Sequence, residues 1–136
     1  MATVKASAAV SHVGRVRSNN QDSGYAGRRL FLVADGMGGH AGGDVASAIA
    51  TRRIAEADDD YESAPVAAAA LEGALIAANR QLAETVAEHS ELTGMGTTVS
   101  ALLLDGDRVV ISHIGDSRIY LLRSGELSQI LSLIHI

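Results

Sequence analysis

Asp35 stands where a continuous apolar run, Leu30-Phe31-Leu32-Val33-Ala34, gives way to residues 35–43, which hold five glycines in nine positions. A short apolar run of this kind reads as a fully buried strand, so the carboxylate sits at a strand end. The glycines leave backbone open to close approach. A carboxylate beside exposed carbonyls is a hard-oxygen site suited to Mg²⁺ or Mn²⁺. The same aspartate could instead cap the following helix or turn, and residue type leaves both readings open.

Other residues of chemical interest are scattered. Asp116 lies in Gly115-Asp116-Ser117-Arg118, between two strand-like stretches, and Asp22 lies in Asn19-Asn20-Gln21-Asp22. Aspartates in turns are usually structural. Arg17 offers either a solvated surface charge or a fork for a phosphate dianion. His40 is either a plain loop residue or a general acid, because its ordinary pKa falls near neutrality. Residues 36–41, Gly-Met-Gly-Gly-His-Ala, also fit a dinucleotide-binding fingerprint. Against that reading, Asp35 would face a pyrophosphate, and no strand ending in an acid follows about 20 residues on.

The elements that must position these groups follow from pattern. Residues 3–11 are compatible with a first strand, followed by a polar loop to Asp22. A helix is expected from Asp44, with Val45, Ile49 and Ile54 on one broad face. Asp58-Asp59-Asp60 and Pro65 mark a connection, read as solvated rather than as a cation site. A second helix is expected over residues 65–90, where Leu71, Leu75, Ala78, Leu82 and Val86 recur at spacings of three or four. Three strands follow at 97–104, 108–114 and 118–122, with Asp105-Gly106-Asp107 and Gly115-Asp116-Ser117 as hairpin turns. The order is that of an α+β layered domain.

Composition bounds the function. The chain has 136 residues, 47% hydrophobic and 20% charged, with a net charge of −5. That suits one globular domain and argues against a nucleic-acid surface. There is no cysteine, which excludes thiol nucleophiles and disulfides. No apolar run approaches the ~20 residues that span a bilayer, no convincing signal peptide is present, and the expected location is cytoplasmic. Residues 130–136 form an uncharged apolar run, expected to be foreign to the domain at 1–129.

In chain order, Arg15-Val16-Arg17-Ser18-Asn19-Asn20-Gln21-Asp22, the glycine segment, Gly94-Met95-Gly96-Thr97-Thr98 and His113-Ile114-Gly115-Asp116-Ser117-Arg118 together resemble the metal-dependent (type 2C) serine/threonine protein phosphatases, in their bacterial form. The resemblance covers about residues 7–129. It implies a four-layer α-β-β-α sandwich of two antiparallel sheets flanked by helices, present here as an incomplete N-terminal portion. It implies two Mn²⁺ or Mg²⁺ ions, with a third nearby. Asp35 would bridge two metals, the Gly36 carbonyl would bind one, and Asp116 would serve the third. Arg17 would hold the substrate phosphate, His40 would protonate the leaving alcohol, and Asp22 would support the metal ligands. Thr97, Thr98 and Arg118 would be structural, and Gln21 stands where many such proteins carry Glu.

The implied activity is hydrolysis of phosphoserine and phosphothreonine in proteins, with phosphorylated proteins and serine/threonine kinases as partners. Because the family draws further aspartates from a second half, the chain alone is expected to bind metal poorly, to show little activity and to have low solubility. The alternative is a non-catalytic phosphatase-like binding or regulatory module.

Overall fold

The computed structural model describes residues 6–38 and 42–130. Strands β1 (Asp22–Ala26) and β2 (Leu30–Met37) come first, then helices α1 (Gly42–Ala55) and α2 (Ala64–Glu88). A 3₁₀ turn at Ser90–Leu92 leads to β3 (Gly96–Thr97), β4 (Val99–Asp105), β5 (Arg108–Ile114), β6 (Ile119–Arg123) and β7 (Glu126–Ile130). Two antiparallel sheets result. The larger runs β1-β2-β4-β5 with β3 also on β2, and the smaller pairs β6 with β7.

Period-two alternation builds the larger sheet. Leu30, Leu32 and Ala34 of β2 pack with Val99, Ala101 and Leu103 of β4, against Ala50 and Ile54 of α1 and Leu71 and Leu75 of α2. The intervening residues Phe31, Val33 and Asp35 point to the opposite face, where no helix lies, and Val33 is 62% exposed. Helix α2 begins where sequence chemistry places it. Ser63 caps it by accepting from the Val66 N–H, and Pro65 sits in the first turn. Among the described residues, no helix is long and apolar enough to cross a membrane.

Several expectations need correction. Described residues 6–13 form no strand and are almost all exposed; alanines and serines there have too little apolar surface to hold an edge. The strand that does form, β1, was expected to be partly loop. Its Ser23 and Tyr25 face the helices while Asp22 and Gly24 face away, and pairing with β2 outweighs weak intrinsic propensity. Strand β2 continues three residues past Ala34, so Asp35 lies within a strand and is not a helix cap.

The Gly106-Asp107 turn does close a hairpin, with Asp105 opposite Arg108 and Gly106 at φ 60°. The turn at Gly115 does not. Gly115, at φ 97°, lies where a Cβ would press on Thr98, and the chain leaves the sheet there instead of pairing β6 with β5. Strand β7 was not expected. Its hairpin turn, Ser124-Gly125, has positive φ at both positions, a signature the dipeptide carries in sequence. Of the tail expected at 130–136, Ile130 lies at the end of β7 opposite Ile119 of β6; residues 131–136 lie outside the described residues.

The acidic connection is not merely solvated. Asp58 Oδ1 accepts the N–H groups of Arg29 and Leu30 at 2.8 and 3.1 Å, and Oδ2 accepts Arg28 N–H at 2.9 Å and the Tyr25 hydroxyl at 2.6 Å. Asp60 pairs with the Arg28 and Arg29 guanidinium groups. The connection after α1 thereby ties down the β1–β2 turn.

Candidate metal and phosphate site

Antiparallel register decides the centre of the site. Asp22 on β1 lies directly opposite Asp35 on β2, so two carboxylates share the same end and face of the sheet. Asp22 has its pKa raised, first by burial, then by the charge of Asp35 and by a hydrogen bond to its carboxyl group. The Arg17 guanidinium pulls in the opposite direction. Two carboxylates set opposite each other repel, and a cation between them relieves that repulsion.

The backbone around the pair is tightly specified. Gly36 N–H donates to the Gln21 carbonyl at 3.0 Å, and Thr98 N–H donates to the Asp35 carbonyl at 2.9 Å. The Asp35 N–H in turn donates to Thr98 Oγ1 at 3.1 Å. A Cβ on Gly36 would fall on the Gly43 carbonyl and 2.7 Å from the Gln21 oxygen. Gly36→Ala is therefore expected to cost about 3 kcal/mol by forcing β2 from α1. Thermal unfolding checks this, and a melting temperature equal to wild type would show that the close approach is relaxed at no cost.

Asp116 reaches the same end of the sheet by a different route. Ser117 Oγ lies 3.0 Å from Thr98 Oγ1, the hydroxyl that serves Asp35. Asp116 itself is exposed in the bend beside it. The structure thus brings Asp22, Asp35 and Gly36 to one sheet end, with the Asp116 bend tied to it through Ser117 and Arg17 near enough for its charge to act on Asp22. His40 lies outside the described residues.

Sequence reasoning passed over Ser47, which is fully buried on α1. Its hydroxyl donates to the Gln21 carbonyl at 2.7 Å and lies 3.1 Å from Ser23 Oγ. Nothing in its spacing among alanines announced this; only the docking of α1 on β1 reveals it. Thr98, expected to be structural, is the hydroxyl that links Asp35 to the Asp116 bend.

The donors offered are all oxygens, which fits Mg²⁺ or Mn²⁺ rather than a thiophilic metal. Among the described residues, no group of three or more His, Cys, Asp or Glu is assembled for a metal. The fit is therefore that of half a centre: a carboxylate pair with open space before it. Beside the pair, a cleft of about 730 Å³ runs over the helix-free face between residues 8–11 and 117–119, lined by Phe31, Val33 and Leu102.

In the metal-free protein the crowded pair disfavours the ionised form of Asp22. A carboxyl with a raised pKa binds its proton more tightly folded than unfolded. Its effect on folding is thus most favourable at low pH and is lost as pH rises through the raised value. Asp22→Asn is expected to raise metal-free stability at neutral pH by under about 1 kcal/mol, given the exposure of the site. Denaturant titrations at pH 4 and pH 7 check it; a gain only at the lower pH would contradict the assignment.

The described residues thus offer a carboxylate pair at a sheet end, with an arginine whose charge acts on it and glycines on either side of the step from β2 to α1. Residues 11–133 match the Protein phosphatase 2C family, and the chain belongs to it. It is 52% identical over 123 residues to the serine/threonine protein phosphatase PstP of Mycobacterium tuberculosis, covering 90% of this chain and 24% of that protein. It is 37% identical to the serine/threonine phosphatase stp of Listeria monocytogenes, covering 90% of this chain and 53% of the other.

The crystal structure of Mycobacterium tuberculosis PstP/Ppp superposes with a TM-score of 0.86 at 50% identity, over 92% of this chain and 53% of that one. The PstP catalytic domain in complex with two manganese ions gives 0.85 at 51% identity, over 91% and 54%. The chain thus spans about half of these solved chains, and its two sheets and two helices are the N-terminal portion of that fold.

Proposed function

We propose that the chain forms the N-terminal part of a phosphatase domain that hydrolyses phosphoserine and phosphothreonine in cytoplasmic proteins, including those modified by serine/threonine kinases. The observation that carries this reading is the register of Asp22 against Asp35 beside Arg17. Asp35 and the Gly36 carbonyl would hold Mn²⁺ or Mg²⁺, and Asp116 would serve a third ion. When bound, the metal pair supplies Lewis acidity that activates water and offsets charge on the phosphoryl group.

This chain's own groups do the rest. Asp22 sits against Asp35 and holds its carboxylate in place. The Arg17 guanidinium, planar and permanently charged, binds the phosphate oxygens in two-pronged fashion and orients the phosphorus for in-line attack. His40 delivers a proton to the departing serine or threonine oxygen. No covalent intermediate is required, so the lack of cysteine carries no penalty.

Manganese-dependent release of phosphate from a phosphothreonine peptide, by the chain joined to the remainder of a family domain, tests this. Turnover that ignores manganese, or none at all, would defeat it. Because the described residues assemble only a carboxylate pair, the chain by itself is expected to bind Mn²⁺ weakly and to turn over little. That same observation favours, for the isolated chain, the second reading of a non-catalytic phosphatase-like binding module.

A further inference from the structure

Gln21 enters β1 with its main chain fixed from two sides. Its carbonyl accepts the Gly36 N–H at 3.0 Å and the Ser47 hydroxyl at 2.7 Å. A side chain leaving so constrained a point has a defined direction. Its Nε2 donates to the Gly38 carbonyl at 3.3 Å. Its amide atoms also lie 2.6–2.8 Å from the place a Gly43 Cβ would occupy. One carboxamide therefore touches both the residue just past β2, Gly38, and Gly43 in the first turn of α1.

Gly38 adopts φ 149°, which side-chain-bearing residues rarely take, and a Cβ there would stand 3.2 Å from Gly43 N and Met95 Cα. Gly38 thus combines a conformation that other residues rarely adopt with close neighbours that must hold it. We propose that Gln21 is a positioning residue whose carboxamide N–H holds Gly38, just past β2, against the first turn of α1 without help from a bound cation.

The chemistry calls for a neutral donor. The Gly38 carbonyl only accepts. A carboxylate of the same shape would set acceptor against acceptor and add negative charge beside the Asp22–Asp35 pair. A thioether of the same length would keep the packing over Gly43 and lose the donor. The value of this positioning for the site rests on the phosphatase reading; the measurement that tests it does not, because it is made without metal.

Backbone ¹⁵N relaxation on the whole 136-residue chain, with chelator present, reads the effect directly. The Gly38 order parameter is expected near ~0.85 in the wild type and below ~0.6 in both Gln21→Met and Gln21→Glu. The amides of Leu32 and Leu103 in the core should not change. A mobile Gly38 in the wild type would overturn the proposal, as would a rigid Gly38 in Gln21→Met. Loosening in Gln21→Glu alone would assign the effect to charge rather than donation and overturn it too. Parallel loosening of Leu32 and Leu103 would reduce Gln21 to a general stability role. A wild type that shows the expected rigidity yet never hydrolyses a phosphopeptide would defeat the function and leave this positioning intact.

Discussion

Asp35→Ala is expected to lower manganese-dependent phosphopeptide hydrolysis by about 10³-fold in the chain joined to the rest of its domain. Lewis-acid stabilisation of a phosphoryl transition state is worth several kcal/mol, and each 1.36 kcal/mol is about one decade of rate. The carboxylate is the part of this site that no neighbour replaces: Asp22 lies opposite on β1, but it is the group that already carries the raised pKa. The backbone should tolerate the change, because Asp35 contributes its N–H and carbonyl to Thr98 through the main chain. The side chain itself is exposed on the helix-free face. Steady-state rates with calorimetric Mn²⁺ titration check the prediction. Retained turnover with unaltered Mn²⁺ affinity would remove Asp35 from the site.

Asp58→Ala is expected to be the most damaging change away from the site, by about 3 kcal/mol, or roughly 10 °C in melting temperature for a chain of this size. One carboxylate accepts three main-chain N–H groups of the β1–β2 turn and the Tyr25 hydroxyl. Hydrogen bonds to a charged acceptor are among the stronger ones, and removing the acceptor leaves four donors without it. Burial by itself would raise the pKa of Asp58, but the bonds from Tyr25, Arg29, Arg28 and Leu30 outweigh it and hold the carboxyl below its ordinary 3.8.

The sign of the pH effect follows. A carboxyl held lower in the folded state adds stability above its unfolded pKa and loses it as pH falls through the folded value. The gap between wild type and Asp58→Ala should therefore be full at pH 7 and narrow below about pH 4. Equal loss at pH 7 and pH 3, read from chemical denaturation, would point to packing instead. Asp60, whose pairings with Arg28 and Arg29 are exposed, is expected to matter far less.

Much of the fold was legible because its signals are local. Helix α2 follows from the Leu71-Leu75-Ala78 spacing, all within one segment. Strand β2 follows from an unbroken apolar run, and the β4–β5 hairpin from a two-residue turn led by glycine. The family itself was legible from ordered motifs. What misled was equally local: described residues 6–11 have strand-like composition but too little apolar surface to hold them, and Gly115 resembles a hairpin turn although the chain departs there.

By itself the sequence determined which residue types are available for chemistry: an aspartate entering a glycine segment, a nearby arginine, and aspartates in two further motifs. Only the tertiary structure decided which of them meet. Antiparallel register sets Asp22 against Asp35, across 13 positions of chain (35 − 22), and pairing register depends on which faces the helices cover rather than on any property of either aspartate. The same holds for Ser47, unremarkable among alanines until α1 docks on β1, and for Asp58, which reads as a solvated acid until the turn after β1 folds onto it. Residue type fixes what a group can do, whereas its charge state and its partners depend on neighbours that are distant in sequence and brought close by packing.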